Sequence, residues 1–429
     1  MVILLGRRLL QMTEYKRFEL LDGVYLTAVR TDACARGCLS MTFLTQLGRE
    51  TAAMNAVLPN LLLRGSSRLP DTEAIDAALE RMDASVTPLV GKLGELQTIG
   101  LRALFPADAD AFAPMAQELA AMLLSPNTRG GLLRQDWVKA ETEALRARQE
   151  AGDPDAAHLA YRRLIEEMCC SEDYPLSALG DAEGAEAIHY QKLTRHYHDL
   201  VQASPLEIFY CGRLSPRSAA QALSELLVRM PRGEMDEELG TDVRMNSLAP
   251  EVRVIAEELP GLEEARLAVG WRLGEQMEDP DLAALRLLAA VFEQMLRGTL
   301  DDACRIRFDM HKGLFTLSSP LRQSPESARA VIDAQLELLQ TGAPESGALA
   351  AALRALEAKL LEAAQDAALL EDYWIERAPL GLLYSPEELI GLLHEVTPAD
   401  VTNAARGLEC DMVYVCTPAQ DDESDSLEA

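Results

Sequence analysis

The chain has 429 residues, of which 48% are hydrophobic and 25% charged, proportions typical of soluble globular proteins. This length exceeds what one ordinary hydrophobic core serves, so two to four domains are expected. The 69 acidic residues outnumber the 40 Lys and Arg residues and give a formal net charge of -29. This charge argues against a nucleic acid or an anionic membrane as partner, since neutralising phosphates requires clustered Lys and Arg.

The cysteines and the N-terminal residues bear on the cellular compartment in which the protein is expected. Eight cysteines are present, without paired C-x-x-C motifs or the dense spacing of a disulfide framework, so we expect reduced thiols. The apolar stretch at residues 2–5 is too short for the core of a signal peptide. No run approaches the roughly 18 apolar residues of a membrane-spanning helix. The sequence therefore predicts a cytoplasmic protein.

The predicted elements of the first half combine strands with amphipathic or apolar helices. In chain order they are strands at 18–21, 24–27 and 38–44, an apolar helix ending at Leu63-Arg64-Gly65, a strand at 96–105, helices at 108–124 and 137–150, and a strand at 206–211. Gly91-Lys92 and Gly94-Glu95 are expected to form a turn before the strand at 96–105. Gly91-Lys92 lacks the flanking residues of a phosphate-binding loop.

The second half repeats this order. Its elements are strands at 252–256 and 265–271, an apolar helix at 282–296 ending at Leu296-Arg297-Gly298, a strand at 314–319, helices at 327–339 and 347–366, and a strand at 411–416. Each half is therefore expected to be a sheet faced by helices. The predicted division is a first domain at 1–228, a linker at 229–250, a second domain at 251–420 and an acidic, disordered tail at 421–429.

Several short segments carry a resemblance to a known family. They are residues 55–66 (NAVLPNLLLRGS), 91–97 (GKLGELQ), 153–155 (DPD) and 167–169 (EMC), with Tyr174-Pro175. In this order they resemble the M16 family of zinc peptidases (the insulinase, pitrilysin and mitochondrial processing peptidase family) over essentially the whole chain. The resemblance extends to inactive bacterial members known as elongation factor P aminopentanol-modification-associated proteins. It implies an α+β fold of two homologous M16-type (LuxS/MPP-like) domains, each a mostly antiparallel sheet faced by helices.

The resemblance also locates the catalytic motif. In active members the motif His-x-x-Glu-His supplies two zinc ligands and the general base, and a distal Glu completes the site. The three functional positions of this motif hold Ala56, Pro59 and Asn60 here. Ala and Pro offer no ligand, a neutral amide is a weak one, and Pro also disfavours a regular helix interior. The chain is thus expected to have no catalytic residues, no zinc and no enzymatic activity.

Two further positions of the family's site are the distal Glu and a substrate-binding arginine. The distal Glu is expected within residues 142–148, near Leu145 or Arg146, although Glu141 and Glu143 lie close by. One carboxylate alone would not hold zinc. In the second half, Arg305 or Arg307 is the candidate for a substrate-binding arginine, but no Tyr follows at a suitable distance.

Other metal chemistry is disfavoured. His196 and His198 would point roughly 200° apart on a helix and would not share a metal ion. Cys34 and Cys38 have no second pair with which to form a zinc knuckle.

The resemblance implies a non-catalytic subunit that pairs with an active, zinc-bearing M16 paralogue, or with itself as a homodimer, to form a peptide-processing chamber. Extended peptide would bind against a sheet edge. Two alternatives remain open: a purely structural or assembly protein on the same scaffold, and an active metallopeptidase with relocated ligands.

Overall fold

The computed structural model describes residues 14–151, 156–236, 239–244, 251–259, 262–273, 281–342, 344 and 346–419. The predicted tail at 421–429 and part of the predicted linker lie outside these ranges. The chain divides into two compact units. Unit 1 comprises Met1–Gly152, Leu176–Thr241 and Lys359–Glu388, and unit 2 comprises Asp153–Pro175, Asp242–Ala358 and Leu389–Ala429.

The strands in chain order are β1 (Glu14–Leu21), β2 (Val24–Arg30), β3 (Arg36–Gln46), β4 (Ser85–Leu93), β5 (Leu96–Pro106), β6 (Thr128–Arg129), β7 (Leu132–Leu133), β8 (Leu206–Gly212), β9 (Arg253–Leu259), β10 (Arg266–Leu273), β11 (Arg305–Asp309), β12 (Leu314–Pro320) and β13 (Leu408–Pro418).

The α-helices are α1 (Ala52–Leu62), α2 (Thr72–Arg81), α3 (Ala109–Leu124), α4 (Gln135–Ala151), α5 (Ala156–Met168), α6 (Ala182–Glu186), α7 (Tyr190–Ala203), α8 (Pro216–Leu227), α9 (Asp281–Arg297), α10 (Pro325–Thr341), α11 (Ser346–Ala363), α12 (Ala367–Arg377), α13 (Pro386–Glu395) and α14 (Pro398–Arg406). No helix in the described part of the chain is long and apolar enough to cross a membrane.

The larger sheet belongs to unit 1 and has the strand order β1-β2-β8-β3-β5-β4. Only the β2–β8 pair is parallel. Leu39, Met41 and Phe43 of β3 point into the main hydrophobic core, over which α1, α3 and α7 pack. The alternate residues of β3 face the opposite side, where α12 lies against β3 and β8. Both faces of β3 are therefore covered, which explains its nearly continuous buried sequence.

The hairpin between β4 and β5 corrects one sequence prediction. Gly91 and Lys92 were expected in a turn, but they lie inside β4 and pair with Thr98 and Gln97. The turn is made by Gly94, whose φ of 59° is in the left-handed region that glycine adopts without a steric penalty. Gly91 and Lys92 were mistaken for a turn because glycine and lysine both have low strand propensity.

Unit 2 contains a sheet with the order β11-β12-β10-β13-β9, in which only β13–β9 is parallel. Helix α5 packs across β10, β12 and β13 and buries Leu164, Ile165 and Met168 in a shared apolar cluster. Both units are thus mostly antiparallel sheets faced by helices, and the predicted fold class is confirmed.

The two units differ from the contiguous division predicted from sequence. Residues 153–175, from the first half of the chain, group with unit 2, and residues 359–388, from the second half, group with unit 1. The physical reason is packing: α5 covers a face of the second sheet, and α12 covers a face of the first.

Candidate functional site

The helix predicted to carry the degenerate motif is α1, and it is almost entirely buried. Ala56 has no exposed surface, Pro59 is also buried, and Asn60 is half-buried. Ala56 and Asn60 are four residues apart and lie on one stripe of the helix. Pro59 has no N–H to donate to the carbonyl of Asn55, so one internal helical hydrogen bond is missing. The apolar packing around α1 compensates for this loss.

A chain of hydrogen bonds anchors α1 to the sheet and to α7. The amide nitrogen of Asn55 donates to Oε1 of Gln97 on β5 (2.8 Å), and Nε2 of Gln97 donates to the carbonyls of Ala52 (3.0 Å) and Ala178 (2.6 Å). Nε2 of His196 lies 2.6 Å from Oδ1 of Asn55. Because this Asn55 oxygen is an acceptor, Nε2 of His196 must carry the proton.

His196 therefore has a fixed tautomer in a partly buried position. Burial lowers the pKa of His196 below its usual value, and Lys192 lowers it further, while Asp199 opposes the shift. His198, two residues along the same helix, is exposed. Both histidines lie on a helix, as predicted, but the sequence interpretation missed the contact between His196 and Asn55. Nothing in the sequence spacing links residues so far apart.

One carboxylate of α4 does face α1. Glu141 is buried, and its Oε1 accepts hydrogen bonds from Nε (2.7 Å) and Nη2 (2.6 Å) of Arg64, just after the end of α1. Leu145 is fully buried, and Arg146 pairs with Glu186 at 3.3 Å. An arginine–glutamate pair therefore joins the end of α1 to α4.

Among the residues that the structure describes, no group of three or more His, Cys, Asp or Glu side chains is arranged to hold a metal ion. Cys38 and Cys211 are opposite one another on β3 and β8, and the neighbouring Cys211 thiol lowers the pKa of Cys34. All three are buried. Sequence spacing did not reveal this cluster because strand pairing brings Cys211 to the other two.

The candidate substrate-binding residues Arg305 and Arg307 lie on β11, at an edge of the second sheet. Both are exposed, and the guanidinium of Arg307 lies over the ring of Tyr161, 5.1 Å from its centroid. A tyrosine partner was not found downstream in the sequence. In the structure the ring beside Arg307 is that of Tyr161 on α5, which lies in the first half of the chain.

A cleft of about 370 Å³ is also present in unit 1, between α4 and residues 185–190. Its rim carries charges of both signs, including Lys139, Glu143, Arg146 and Glu186. This mixture favours no single ligand charge.

Comparisons with known proteins place the fold. No protein-family model matches the chain. A conserved protein from Enterococcus faecalis V583 superimposes on 95% of the chain with a TM-score of 0.79 at 17% identity, and all of that chain is covered. A peptidase M16 inactive domain from Pseudomonas fluorescens superimposes on 95% with a TM-score of 0.74 at 17% identity, and 98% of that chain is covered.

The fold is therefore that of M16-type proteins, and at the predicted motif positions the chain has Ala56, Pro59 and Asn60. By sequence it is similar to the "Probable inactive metalloprotease YmfF" of Bacillus subtilis (strain 168). The two are 23% identical over 411 residues, which span 91% of this chain and 95% of that protein. The predicted family resemblance is confirmed, and the relative's name agrees with the predicted loss of zinc chemistry.

Proposed function

We propose that the chain is a non-catalytic M16-type subunit that binds extended peptide along β4 and acts together with a zinc-bearing paralogue. One observation supports this proposal above the others. Strand β4 forms an edge of the six-stranded sheet and lies beside α1, the helix predicted to carry the degenerate motif. An edge strand presents unpaired N–H and C=O groups to which an extended peptide can add as a further strand.

The sequence of β4 suits such an edge. Pro88 lies within the strand, opposite Leu101 of β5. Proline is tolerated in a strand where its nitrogen points away from the neighbouring strand, because no ladder hydrogen bond is then lost. Because the direction of the N–H groups alternates along a strand, Val86 and Val90 direct theirs to the same open side as the nitrogen of Pro88. These donors are available to a bound peptide.

The proposed partner must supply the metal ligands and the general base that α1 lacks. Ala56, Pro59 and Asn60 supply neither a metal ligand of the usual kind nor a general base. A second copy of this chain would share that deficiency. Peptide cleavage therefore requires a partner with an intact His-x-x-Glu-His motif, and this chain contributes binding surface.

The edge of β4 is tested by changing one outward donor. Val90→Pro removes an N–H on the open side, and we expect about tenfold weaker binding of a fluorescently labelled extended peptide by anisotropy. Val90→Ala is the matched control, since it also shortens the side chain but keeps the N–H. Equal affinities for the two variants, with unchanged melting, would contradict binding along β4.

The partnership is tested by co-purification with a paralogue that has the intact motif. We expect a heterodimer that cleaves peptide only when both chains are present. If the partner binds and cleaves peptide equally well alone, the chain is a structural protein and the subunit proposal fails. One tightly bound zinc per chain by elemental analysis would instead favour relocated ligands.

A further inference from the structure

The topology of the first sheet brings three cysteines of unit 1 together. Strand β8 lies between β2 and β3, parallel to the first and antiparallel to the second, and Cys211 of β8 is opposite Cys38 of β3. Residues 31–35 join β2 to β3, so they must cross the chain close to the end of β8. The N–H of Thr31 donates to the carbonyl of Gly212 (3.0 Å), which holds the start of this crossing beside Cys211.

The third cysteine, Cys34, lies in this crossing, on the face of the sheet that α12 covers. Cys38 is on the side of β3 opposite the main core, and Cys211 points the same way because the two are paired across the ladder. The thiol of Cys34 donates to the carbonyl of Ala364, 3.7 Å away and shortly before α12. Cys34 is 2% exposed, and the other two cysteines have no exposed surface. A cross-strand pair of cysteines is thus joined by a third thiol on one buried face.

Cys34 is the member of this group whose thiolate is favoured. The neighbouring Cys211 thiol lowers the pKa of Cys34, an effect that outweighs burial and the carboxylates of Asp366 and Glu387, which raise it. Burial raises the pKa of Cys38, and Cys34 together with burial raises that of Cys211. Because the thiolate is the reactive form, Cys34 is the expected nucleophile, and its neighbour Cys211 can resolve the product.

A small recess beside this group can admit a small polar molecule. It has a volume of about 10 Å³, room for about one water, and its lining includes Ala364, whose carbonyl accepts the Cys34 thiol. Two other lining residues have buried polar atoms, Nε1 of Trp374 and Oε2 of Glu387, that form no hydrogen bond with the described part of the chain. One donor and one acceptor suit a molecule such as hydrogen peroxide, and the narrow recess excludes a bulky reagent.

We propose that Cys34 and Cys211 form a redox-active pair that hydrogen peroxide converts to a disulfide. The Cys34 thiolate attacks one peroxide oxygen, the O–O bond breaks, and the departing hydroxide takes up the proton that Cys34 released; water and a sulfenic acid result. The sulfur of Cys211 then attacks that of Cys34, the S–O bond breaks, and the hydroxide leaves as water with the proton of Cys211. The two thiols lose two electrons and two protons, and the peroxide is reduced to two waters. The disulfide ties the crossing at 31–35 to β8, whether or not the chain binds peptide.

The disulfide is tested in the full native chain, since trypsin separates the three cysteines. The peptides are 31–36 with Cys34, 37–49 with Cys38 and 196–213 with Cys211. After peroxide treatment and blocking of the remaining thiols, we expect mass spectrometry to find 31–36 linked to 196–213, and dithiothreitol to abolish the link. A link from 37–49 to 196–213 in its place would overturn the assignment. So would reduced Cys34 and Cys211 at a peroxide dose that oxidises the exposed Cys170.

Single variants separate the roles of the two thiols. In Cys34→Ala we expect peroxide to oxidise Cys211 about tenfold more slowly than in wild type, because the nucleophile is absent. In Cys211→Ala the sulfenic acid at Cys34 should accumulate and be trapped by dimedone. Cys170→Ala is the matched control, since it removes an exposed thiol and should keep the link. Equal rates of Cys211 oxidation in wild type and Cys34→Ala would contradict the nucleophilic role of Cys34.

The recess is tested by the size of the oxidant. Relative to hydrogen peroxide, tert-butyl hydroperoxide should form the link about tenfold more slowly in the native chain, after correction for the rates of both reagents with the urea-unfolded chain. A corrected rate that is the same for the two reagents would mean that the thiols react only after the fold opens. The native redox pair would then be wrong.

Discussion

The two units hold a covering segment against their sheets with different kinds of buried charge. In unit 2, Arg272 binds Glu172 (3.2 Å) and Asp411 (2.7 Å), and Lys312 binds Glu172 (2.6 Å). All four side chains are at most 1% exposed. This cluster ties the end of the α5 segment to β10 and β13. Arg244 and Arg253, whose side chains are 29% exposed, add longer contacts of 3.7 Å to Glu172 and Asp411 at the rim of the cluster.

In unit 1, Arg102 of β5 pairs with Glu371 and Asp372 of α12. Glu371 is buried, but the side chain of Asp372 is 58% exposed, so this cluster opens to solvent on one side. Burial raises the pKa of Glu371, although Arg102 opposes the shift. The first unit can therefore respond to a lost partner by protonation and hydration, whereas the second cannot do so easily. A buried carboxylate stabilises a fold only while its charge stays paired.

The largest expected effect comes from cutting the chain between Thr241 and Asp242. Residues 1–241 then lack α12, which covers β3 and β8, and residues 242–429 lack α5, which covers β10, β12 and β13. Each fragment would expose an apolar sheet face, so we expect neither to show a cooperative melting transition by circular dichroism. Co-expression should restore a single folded species. Independent cooperative folding of either fragment would show that its covering segment is dispensable.

A smaller and more local effect distinguishes the two ion clusters. Arg272→Met leaves two buried carboxylates with fewer partners and should lower the free energy of unfolding by about 3–5 kcal/mol. Arg102→Met should cost less, about 1–3 kcal/mol, because Glu371 can be protonated and Asp372 stays hydrated. Urea denaturation of both variants measures the difference. The reverse order, or equal losses, would contradict the distinction between the buried carboxylates of unit 2 and the partly exposed pair of unit 1.

Much of the fold could be predicted from sequence, because strand and helix periodicities are local. The pattern around Ala56, Pro59 and Asn60 located α1, and the echo of Leu63-Arg64-Gly65 in the second half indicated the repeat. The strand at 38–44 was recognised because Leu39, Met41 and Phe43 alternate with polar residues, the period of a strand.

The sequence pattern could not predict which sheet each helix covers. An amphipathic pattern shows that α5 and α12 each bury one face, but not which sheet that face meets. For the same reason the contact between Tyr161 and Arg307 was missed, since it depends on α5 crossing the second sheet. Arg64 and Glu141 were both visible in sequence, yet only the packing of α1 on α4 joins them.

The smallest expected effect concerns the neutral hydrogen-bond chain of unit 1, which contrasts with the ionic cluster of unit 2. Because burial lowers the pKa of His196, the unfolded chain binds a proton at higher pH than the folded one. The stabilising contribution of neutral His196 is thus complete above the usual histidine pKa of about 6.5, and it is lost as the pH falls toward the lower folded pKa.

His196→Gln retains an N–H donor for Asn55 but does not titrate. Melting temperatures measured between neutral and mildly acidic pH should fall less steeply for this variant than for wild type. His198→Gln, on the exposed side of α7, is the matched control and should follow wild type. An unchanged slope in His196→Gln would mean that the hydrogen bond to Asn55 tolerates a protonated ring, and the pH dependence would then belong to other groups.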